Sequence, residues 1–338
     1  MSADVIAKIE INVLKYIQQQ KTDKFYIAFS GGIDSCVITK CIVNLLHNNK
    51  LIGKTKKNFS LLHINHNLEK EANIWVKNTQ ILASLIKFNC IIHKVAVQNI
   101  NKFGYEAAAR ISRYQAFSQL VAPNAILITA HHLDDQAETF LLQAMRGAGI
   151  LGLSGMQNYS QYKNLKILRP MLDIHKDEIF TYAKYYNLQW SEDSSNNNLK
   201  MDRNFLRQKI IPALKTRRQG VLSALARSAS HCQNTLLLLN DLALIDLQNI
   251  SYLQENLQFN NLNYHPISAK KLSILTIIRQ ANAIRFWLKT LMIQVPSNKK
   301  LQRLLYDLIF SRYERKPQII LKQAIILRIK DKITLINM

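Results

Sequence analysis

Six residues, Ser30-Gly31-Gly32-Ile33-Asp34-Ser35, stand between a short apolar run, Phe25–Phe29, and a stretch with helical spacing of apolar positions, Cys36–Leu46. The run is too short for a helix and reads as a buried strand. The segment therefore joins a buried strand to a helix N-terminus, where unpaired backbone N–H groups and the positive dipole end favour a phosphate. Gly31 and Gly32 allow backbone angles that a side chain would forbid. Ser30 and Ser35 add hydroxyl donors. Asp34 is the odd member, since a carboxylate repels phosphate unless a cation lies between them. It reads as a partner for Mg²⁺ or an ammonium group.

No Lys-Ser/Thr pair closes the loop, so it is not the common ATPase P-loop. The pattern S-G-G-x-D-S resembles the pyrophosphate loop of ATP pyrophosphatases, enzymes that split ATP between its α and β phosphates. A serine- and glycine-rich turn that merely caps a helix is the plain alternative.

The pattern along the chain supports the first reading. Residues 4–19 form an amphipathic helix. Strands are expected over 25–29, 60–66, 89–97 and 125–130, with helices after the loop and over 69–88 and 105–121. Strands alternating with helices imply an α/β fold with a Rossmann-like parallel sheet covered on both faces. Right-handed crossovers then bring the loops after each strand to one edge of the sheet. The Ser30–Ser35 loop, His63 and His66, and the segment His131–Glu138 should meet in one crevice. Residues 194–199 read as a loop, helical patterns dominate 205–248, and a polar stretch follows near 251–266. The last unit begins near Ile284, has a helix start at Val295-Pro296-Ser297 and ends in short strands.

The 338 residues suit two or three domains, and the formal net charge of +23 points to a polyanionic partner. From residue 200 onward 23 Lys+Arg face 7 Asp+Glu, whereas the first 199 residues hold 22 and 15. The second half is the more basic, as expected of a chemistry domain followed by an RNA-gripping region. Coding bias towards lysine is the alternative, and it explains the arginines less well. No apolar run is long enough to span a membrane, and no secretory signal opens the chain. Four cysteines without a C-x-x-C pair fit a reducing cytoplasm.

Three further segments carry chemistry. Glu106, Arg110 and Arg113 fall at helical spacings of four and three and share a face, either as a surface ladder or as guanidinium groups aimed at a phosphate or base. His131-His132-Leu133-Asp134-Asp135 with Glu138 opens a helix after a strand. The acids could be helix caps, Mg²⁺ ligands or partners for an amine's ammonium groups. The spacing lacks the common zinc signatures. Arg146–Met156 holds four glycines and reads as a close-approach loop, and Arg203 and Arg207 lie one helical turn apart.

Together S-G-G-I-D-S, E-A-A-A-R-I-S-R-Y, T-A-H-H-L-D-D-Q-A-E-T, R-G-A-G-I-L-G-L-S-G-M, R-P-M-L, E-D-S-S-N and R-N-F-L-R resemble the tRNA(Ile)-lysidine synthetase family, in order and approximate spacing, over roughly residues 24–210. Residues 284–336 resemble its substrate-binding domain. His63-Ile64-Asn65-His66-Asn67-Leu68 departs from the family's H-x-H-H-G-L. A second C-terminal domain of long members is expected to be missing. The resemblance implies a PP-loop ATP pyrophosphatase fold in residues 1–210, a helical linker over 211–250 and a smaller basic α+β tRNA-binding domain over 251–338.

The resemblance also implies an ATP-dependent ligase acting on the first anticodon cytidine of a CAU-anticodon isoleucine tRNA. The base's C2 oxygen is adenylated, pyrophosphate leaves, and the amine of free L-lysine displaces AMP to give lysidine. Codon specificity then moves from AUG to AUA and identity from methionine to isoleucine. In that scheme Ser30, Gly31, Gly32, Ile33, Asp34 and Ser35 bind ATP, with Asp34 holding Mg²⁺. Asp34, Arg110, His131 and Asp135 are catalytic. Glu106, Arg110, Arg113, Asp134, Asp135, Glu138, Arg203 and Arg207 bind lysine or tRNA. A homodimer stays open.

Three rivals remain at this point. A tRNA thiolase would need paired cysteines, and Cys36 and Cys41 do not share a helix face. A non-catalytic RNA-binding protein would have lost the acids and histidines first. A zinc hydrolase would act without ATP.

Overall fold

The computed structural model describes residues 2–51, 57–65, 88–98, 100–191, 198–252, 266–311 and 317–337. The expected helix over 69–88, His66, the Glu192-Asp193 pair and most of the 251–266 stretch lie outside them. The chain divides into two compact units, Met1–Gln233 and Asn234–Met338.

In the first unit, helix α1 (Ser2–Gln18) buries Ile6, Ile9, Val13 and Ile17, a three-and-four spacing that makes one apolar stripe. Strand β1 (Lys24–Ala28), helix α2 (Ile33–His47), β2 (Asn58–Asn65) and β3 (Asn89–Lys94) follow. Next come α3 (Ile100–Phe103), α4 (Tyr105–Leu120), β4 (Ile126–Ile128), α5 (Leu133–Met145) and α6 (Ile150–Leu153). A hairpin of β5 (Tyr159–Tyr162) and β6 (Leu165–Leu168) leads to α7 (Lys176–Tyr185).

The sheet order is β3-β2-β1-β4-β6-β5, parallel except for the edge strand β5, which runs antiparallel to β6. Alternate residues of β1 serve two cores. Phe25 and Ile27 pack with α1, α2 and α7, while Tyr26 and Ala28 pack with Tyr114 and Phe117 of α4. That two-faced burial is what the apolar run at 25–29 encodes. Strand order reverses at β1, whose neighbours are β2 and β4. A ligand crevice is expected at such a switch, outside the carboxyl ends of β1 and β4.

The antiparallel β5–β6 hairpin was not anticipated from the sequence. Its two four-residue strands are joined by Lys163-Asn164, with Lys163 at φ +53°.

Helix α8 (Asp202–Phe205) runs through a π-helical turn, Leu206–Ile210, into α9 (Ile211–Arg217). Pro212 lacks the N–H that would bond the carbonyl of residue 208, and the ladder widens just before it. Helix α10 (Val221–Ile250) follows, and the division between units falls within it. Leu133 and Ala137 of α5, Ile211 of α9 and Leu222 of α10 share a small core that seats the π turn against α5.

The second unit holds β7 (Ile267–Ser268), α11 (Ala269–Ile274), α12 (Ile277–Thr290) and α13 (Asn298–Phe310). Strands β8 (Gln318–Ile320), β9 (Ala324–Ile329) and β10 (Lys332–Asn337) form an antiparallel sheet in the order β7-β10-β9-β8. Its core gathers Trp287, Leu301, Leu304, Leu308 and Ile326. Among the described residues no helix is long and apolar enough to cross a membrane.

Candidate active site

The Ser30–Ser35 loop leaves β1 at the switch point and is shaped by its own hydroxyls. Gly31 sits at φ +85°, in the left-handed region that glycine tolerates, and no atom stands where its side chain would be. The Gly32 N–H donates to Ser30 Oγ (3.3 Å), the Ser30 N–H to Ser35 Oγ (3.3 Å), and Ser35 Oγ to the Gly32 carbonyl (2.8 Å). The loop is tied from outside by the Ser191 N–H, which donates to the Gly31 carbonyl at 2.9 Å. The first N–H groups of α2, from Ile33 to Ser35, are left to face a ligand, since a helix start has no acceptors for them.

Asp34 projects from this first turn with its carboxylate about one-third exposed, and its Oδ1 is buried without a hydrogen-bond partner. Burial pushes its pKa up, His132 opposes the rise, and Asp135 adds to it. An anionic oxygen held out of water with no donor suits a cation, and Mg²⁺ characteristically takes one or two carboxylates and completes its shell with phosphates and water. The donor set at Asp34 fits that ion. Among the described residues no three His, Cys, Asp or Glu side chains gather as a metal's full donor set, as a zinc hydrolase would need.

Across the switch, β4 delivers His131 and His132 to the same crevice. His131 Nδ1 lies 2.8 Å from Thr129 Oγ1. Enclosure by protein pushes its pKa down to about 3, and Arg169, Arg110 and Arg203 press the same way against the pull of Asp135. The ring is therefore neutral at physiological pH and can donate a hydrogen bond without adding charge. His132 is buried, with Nε2 3.7 Å from Asp34 Oδ1 and 3.5 Å from Asp135 Oδ2. It stands between the two carboxylates that the sequence placed 101 residues apart.

The acids on α5 are not equivalent. Asp134 Oδ2 accepts the Lys176 N–H (3.1 Å), capping α7, and lies 4.0 Å from His175 Nδ1. Asp135 Oδ2 accepts the His132 N–H (3.1 Å), and Oδ1 lies 3.4 Å from Arg207 Nη2. Burial acts to raise the Asp135 carboxyl, but His132, His131 and Arg203 together hold it down to about 2. Glu138, with a side chain 2% exposed, takes Arg207 Nε on Oε1 (2.7 Å) and Arg207 Nη2 on Oε2 (3.0 Å), with Arg203 Nε 3.1 Å from Oε2. Arg203 also donates to Thr139 Oγ1 at 3.0 Å. The π turn aims Arg207 at this pair.

Arg110 and Arg113 are exposed on α4, and Arg110 lies 4.8 Å over the Tyr114 ring with Nη2 donating to Tyr114 Oη (3.4 Å). Glu106 belongs to α4 by its backbone, and its side chain lies outside the described residues. His63 is buried at the end of β2 with Nδ1 2.9 Å from the Phe29 carbonyl, a structural post beneath the loop. The glycine-rich segment is pinned to α5 by Gln136, whose amide donates to the Met156 carbonyl (2.9 Å) and accepts the Met156 N–H (2.7 Å).

Residue patterns had not singled out Lys176 and Ser223. The Lys176 N–H donates to the capping Asp134 Oδ2, and Ser223 Oγ lies 3.0 Å from His175 Nε2. Neither is set off by spacing or composition.

Residues 5–214 match the PP-loop domain family, and residues 268–333 match the TilS substrate binding domain. The tRNA(Ile)-lysidine synthase of Haemophilus influenzae (strain ATCC 51907 / DSM 11121 / KW20 / Rd) is 35% identical over 334 residues, 98% of this chain and 73% of that protein. The chain belongs to the tRNA(Ile)-lysidine synthase family.

The tRNA(Ile)-lysidine synthase of Actinobacillus pleuropneumoniae serotype 3 (strain JL03) is 36% identical over 300 residues, and this chain spans 65% of its length. Among solved structures, the U34-tRNA thiolase NcsA from Methanococcus maripaludis is similar in fold, with a TM-score of 0.57 at 16% identity over 68% of this chain and 79% of that one. Thiolate chemistry does not follow from the shared fold. Burial, with Asp34 beside it, pushes the Cys36 thiol up to about 12, and Cys41 is fully buried in the core. This tRNA(Ile)-lysidine synthase family member thus keeps carboxylates and histidines at its crevice, and burial holds the thiol beside them, Cys36, in its protonated form.

Proposed function

We propose that this chain ligates free L-lysine to C2 of the first anticodon cytidine of a CAU-anticodon isoleucine tRNA, through an adenylated tRNA, releasing AMP and pyrophosphate. The observation that carries the reading is the meeting, at the ends of β1 and β4, of a phosphate-shaped loop, a buried Asp34 oxygen that accepts no hydrogen bond and the His132–Asp135 pair.

ATP would lay its phosphates on Ser30, Gly31, Gly32, Ile33 and Ser35, with Asp34 holding Mg²⁺. The ion supplies charge neutralisation for the departing pyrophosphate. Neutral His131 would donate to the phosphoryl oxygen that gains charge, and Arg110 would lie against the adenylate or the target base. The lysine amine, its ammonium proton given to water, attacks C2: the C2–N bond forms, the C2–O bond breaks with its electron pair leaving on AMP, and the proton left on the new nitrogen passes to water. Asp135, ionised at all physiological pH, suits an ammonium partner. Asp134 is committed to the α7 N-terminus and Glu138 to two arginines, so both would act by positioning, with Arg203 and Arg207 held in place. Glu106 and Arg113 would face the RNA. The basic second unit would grip the tRNA backbone, within the proposed division at 1–210, 211–250 and 251–338.

The test is incorporation of radiolabelled lysine into a CAU-anticodon isoleucine tRNA transcript, with and without ATP. Labelling that needs ATP and disappears when the anticodon C becomes U is expected. ATP turnover on tRNA without labelling would replace lysine by another nucleophile, and no turnover at all would leave a binding protein.

A further inference from the structure

Helix α13 has two opposed faces. Leu301, Leu304, Leu305 and Leu308 are buried in the core of the second unit. Lys299, Arg303, Tyr306 and Phe310 follow at i, i+4, i+7 and i+11, one stripe on the other side, and all four are exposed. Tyr306 and Phe310 leave 66% and 68% of their surface in solvent, with ring centroids 5.4 Å apart and planes tilted by 41°. One exposed aromatic is ordinary. Two adjacent rings in line with two cations, on the face away from the leucine core, have no packing partner but each other among the described residues. Arg285 adds a third positive group at the Lys299 end, where its Nη2 donates to Asn298 Oδ1 at 2.7 Å. Asp307, half-buried beside the stripe, is the one acid of this helix.

We propose that this stripe is a stacking platform for an unpaired RNA nucleotide. Tyr306 and Phe310 take the base, and Lys299 and Arg303 take the phosphates next to it. The two cations stand about 6 Å apart along the helix axis, within reach of successive phosphates. A duplex hides its base faces in its own stack, so two rings side by side select a base that is free to leave it. Two cations leading into two aromatics match the succession of phosphate and base along a single strand. The inference rests on the tRNA reading above and adds the mode of contact.

The experiment measures binding of the full chain to a tRNA transcript at several salt concentrations. Tyr306→Ala with Phe310→Ala should weaken binding about tenfold at every salt concentration and leave the salt slope unchanged. Lys299→Gln with Arg303→Gln should lower the slope by roughly 2. Tyr306→Leu with Phe310→Leu keeps apolar area but not ring faces, and should weaken binding like the alanine pair. Repeating the series on a transcript lacking its single-stranded 3′ end names the source of the base. Loss of the alanine effect there assigns the 3′ end, and its persistence assigns a loop. Wild-type affinity in either aromatic pair overturns the proposal while leaving the tRNA reading intact. So does a change in sedimentation of the alanine pair, which would mark the stripe as a contact between copies. A wild-type chain that does not bind tRNA overturns both.

Discussion

The crevice of the first unit and the outer face of α13 handle positive charge in opposite ways. In the crevice, Arg203 and Arg207 are locked onto Glu138, Asp135 is tethered to the start of its own helix, and histidines are enclosed. On α13, Lys299, Lys300 and Arg303 stand in solvent with no ion pair among the described residues. Paired, desolvated charge fixes geometry to a fraction of an ångström, as bond-making requires. Unpaired, hydrated charge gives a field that tolerates a moving polyanion. One chain thus separates the place where position matters from the place where net charge matters. Substitutions in the two regions should differ in kind.

The largest effect is expected at Asp34, the one crevice acid with a buried oxygen that accepts no hydrogen bond among the described residues. Asp34→Ala should lower lysine incorporation about a thousandfold or more, because Mg²⁺ and phosphate positioning go together. Its melting temperature should stay the same or rise, since the change removes a partly desolvated carboxylate. Activity close to wild type would end its proposed role. Arg207→Ala should show the reverse emphasis, costing about 2–3 kcal/mol in denaturant unfolding because Glu138 is left buried with only Arg203. Glu138→Gln in that background should recover part of the loss. If it does not, the pair is not coupled as the distances imply.

Sequence made the alternation of strands and helices legible because each strand near the site is an apolar run and each following loop is polar. It also made Asp34, His131, His132 and Asp135 legible, since charged groups after buried strands have few structural reasons to be there. What it hid was pairing across distance. Asp134 and Glu138 look like free acids in the chain, and only the fold shows Asp134 capping a helix 42 residues on and Glu138 closing on arginines 65 and 69 residues on. The β5–β6 hairpin was hidden for a related reason. Its strands are short, and β5 is mostly exposed, so it carries no apolar run.

Smaller effects test how tightly the crevice is held. Gly155 has φ +61°, and an added Cβ would lie 2.6 Å from Gln136 Oε1, which already accepts the Met156 N–H. Gly155→Ala should therefore cost about 2 kcal/mol and loosen the glycine-rich segment, read as faster proteolysis between residues 146 and 156. His131 titrates near 6.5 when unfolded and near 3 when folded, so the unfolded chain takes up its proton first as the solution is acidified. Its contribution is complete above about pH 6.5 and falls towards pH 3, by up to about 1.4 kcal/mol per pH unit. His131→Gln should flatten the decline of unfolding free energy over that window. An unchanged decline would show that the ring is solvated in the folded state.

The smallest effect belongs to the outer face. Lys300 lies on α13 beside the proposed stripe and is exposed. Lys300→Gln should leave folding and the ATP-dependent step on saturating tRNA untouched. It should weaken tRNA binding only a few-fold and lower the salt slope by roughly 1. A single crevice charge should do the opposite, changing turnover at saturating tRNA and leaving the slope alone. If Lys300→Gln altered turnover instead, or Asp34→Ala altered the salt slope, the separation of a geometric region from a field region would fail. RNA binding and chemistry would then have to be treated as one surface.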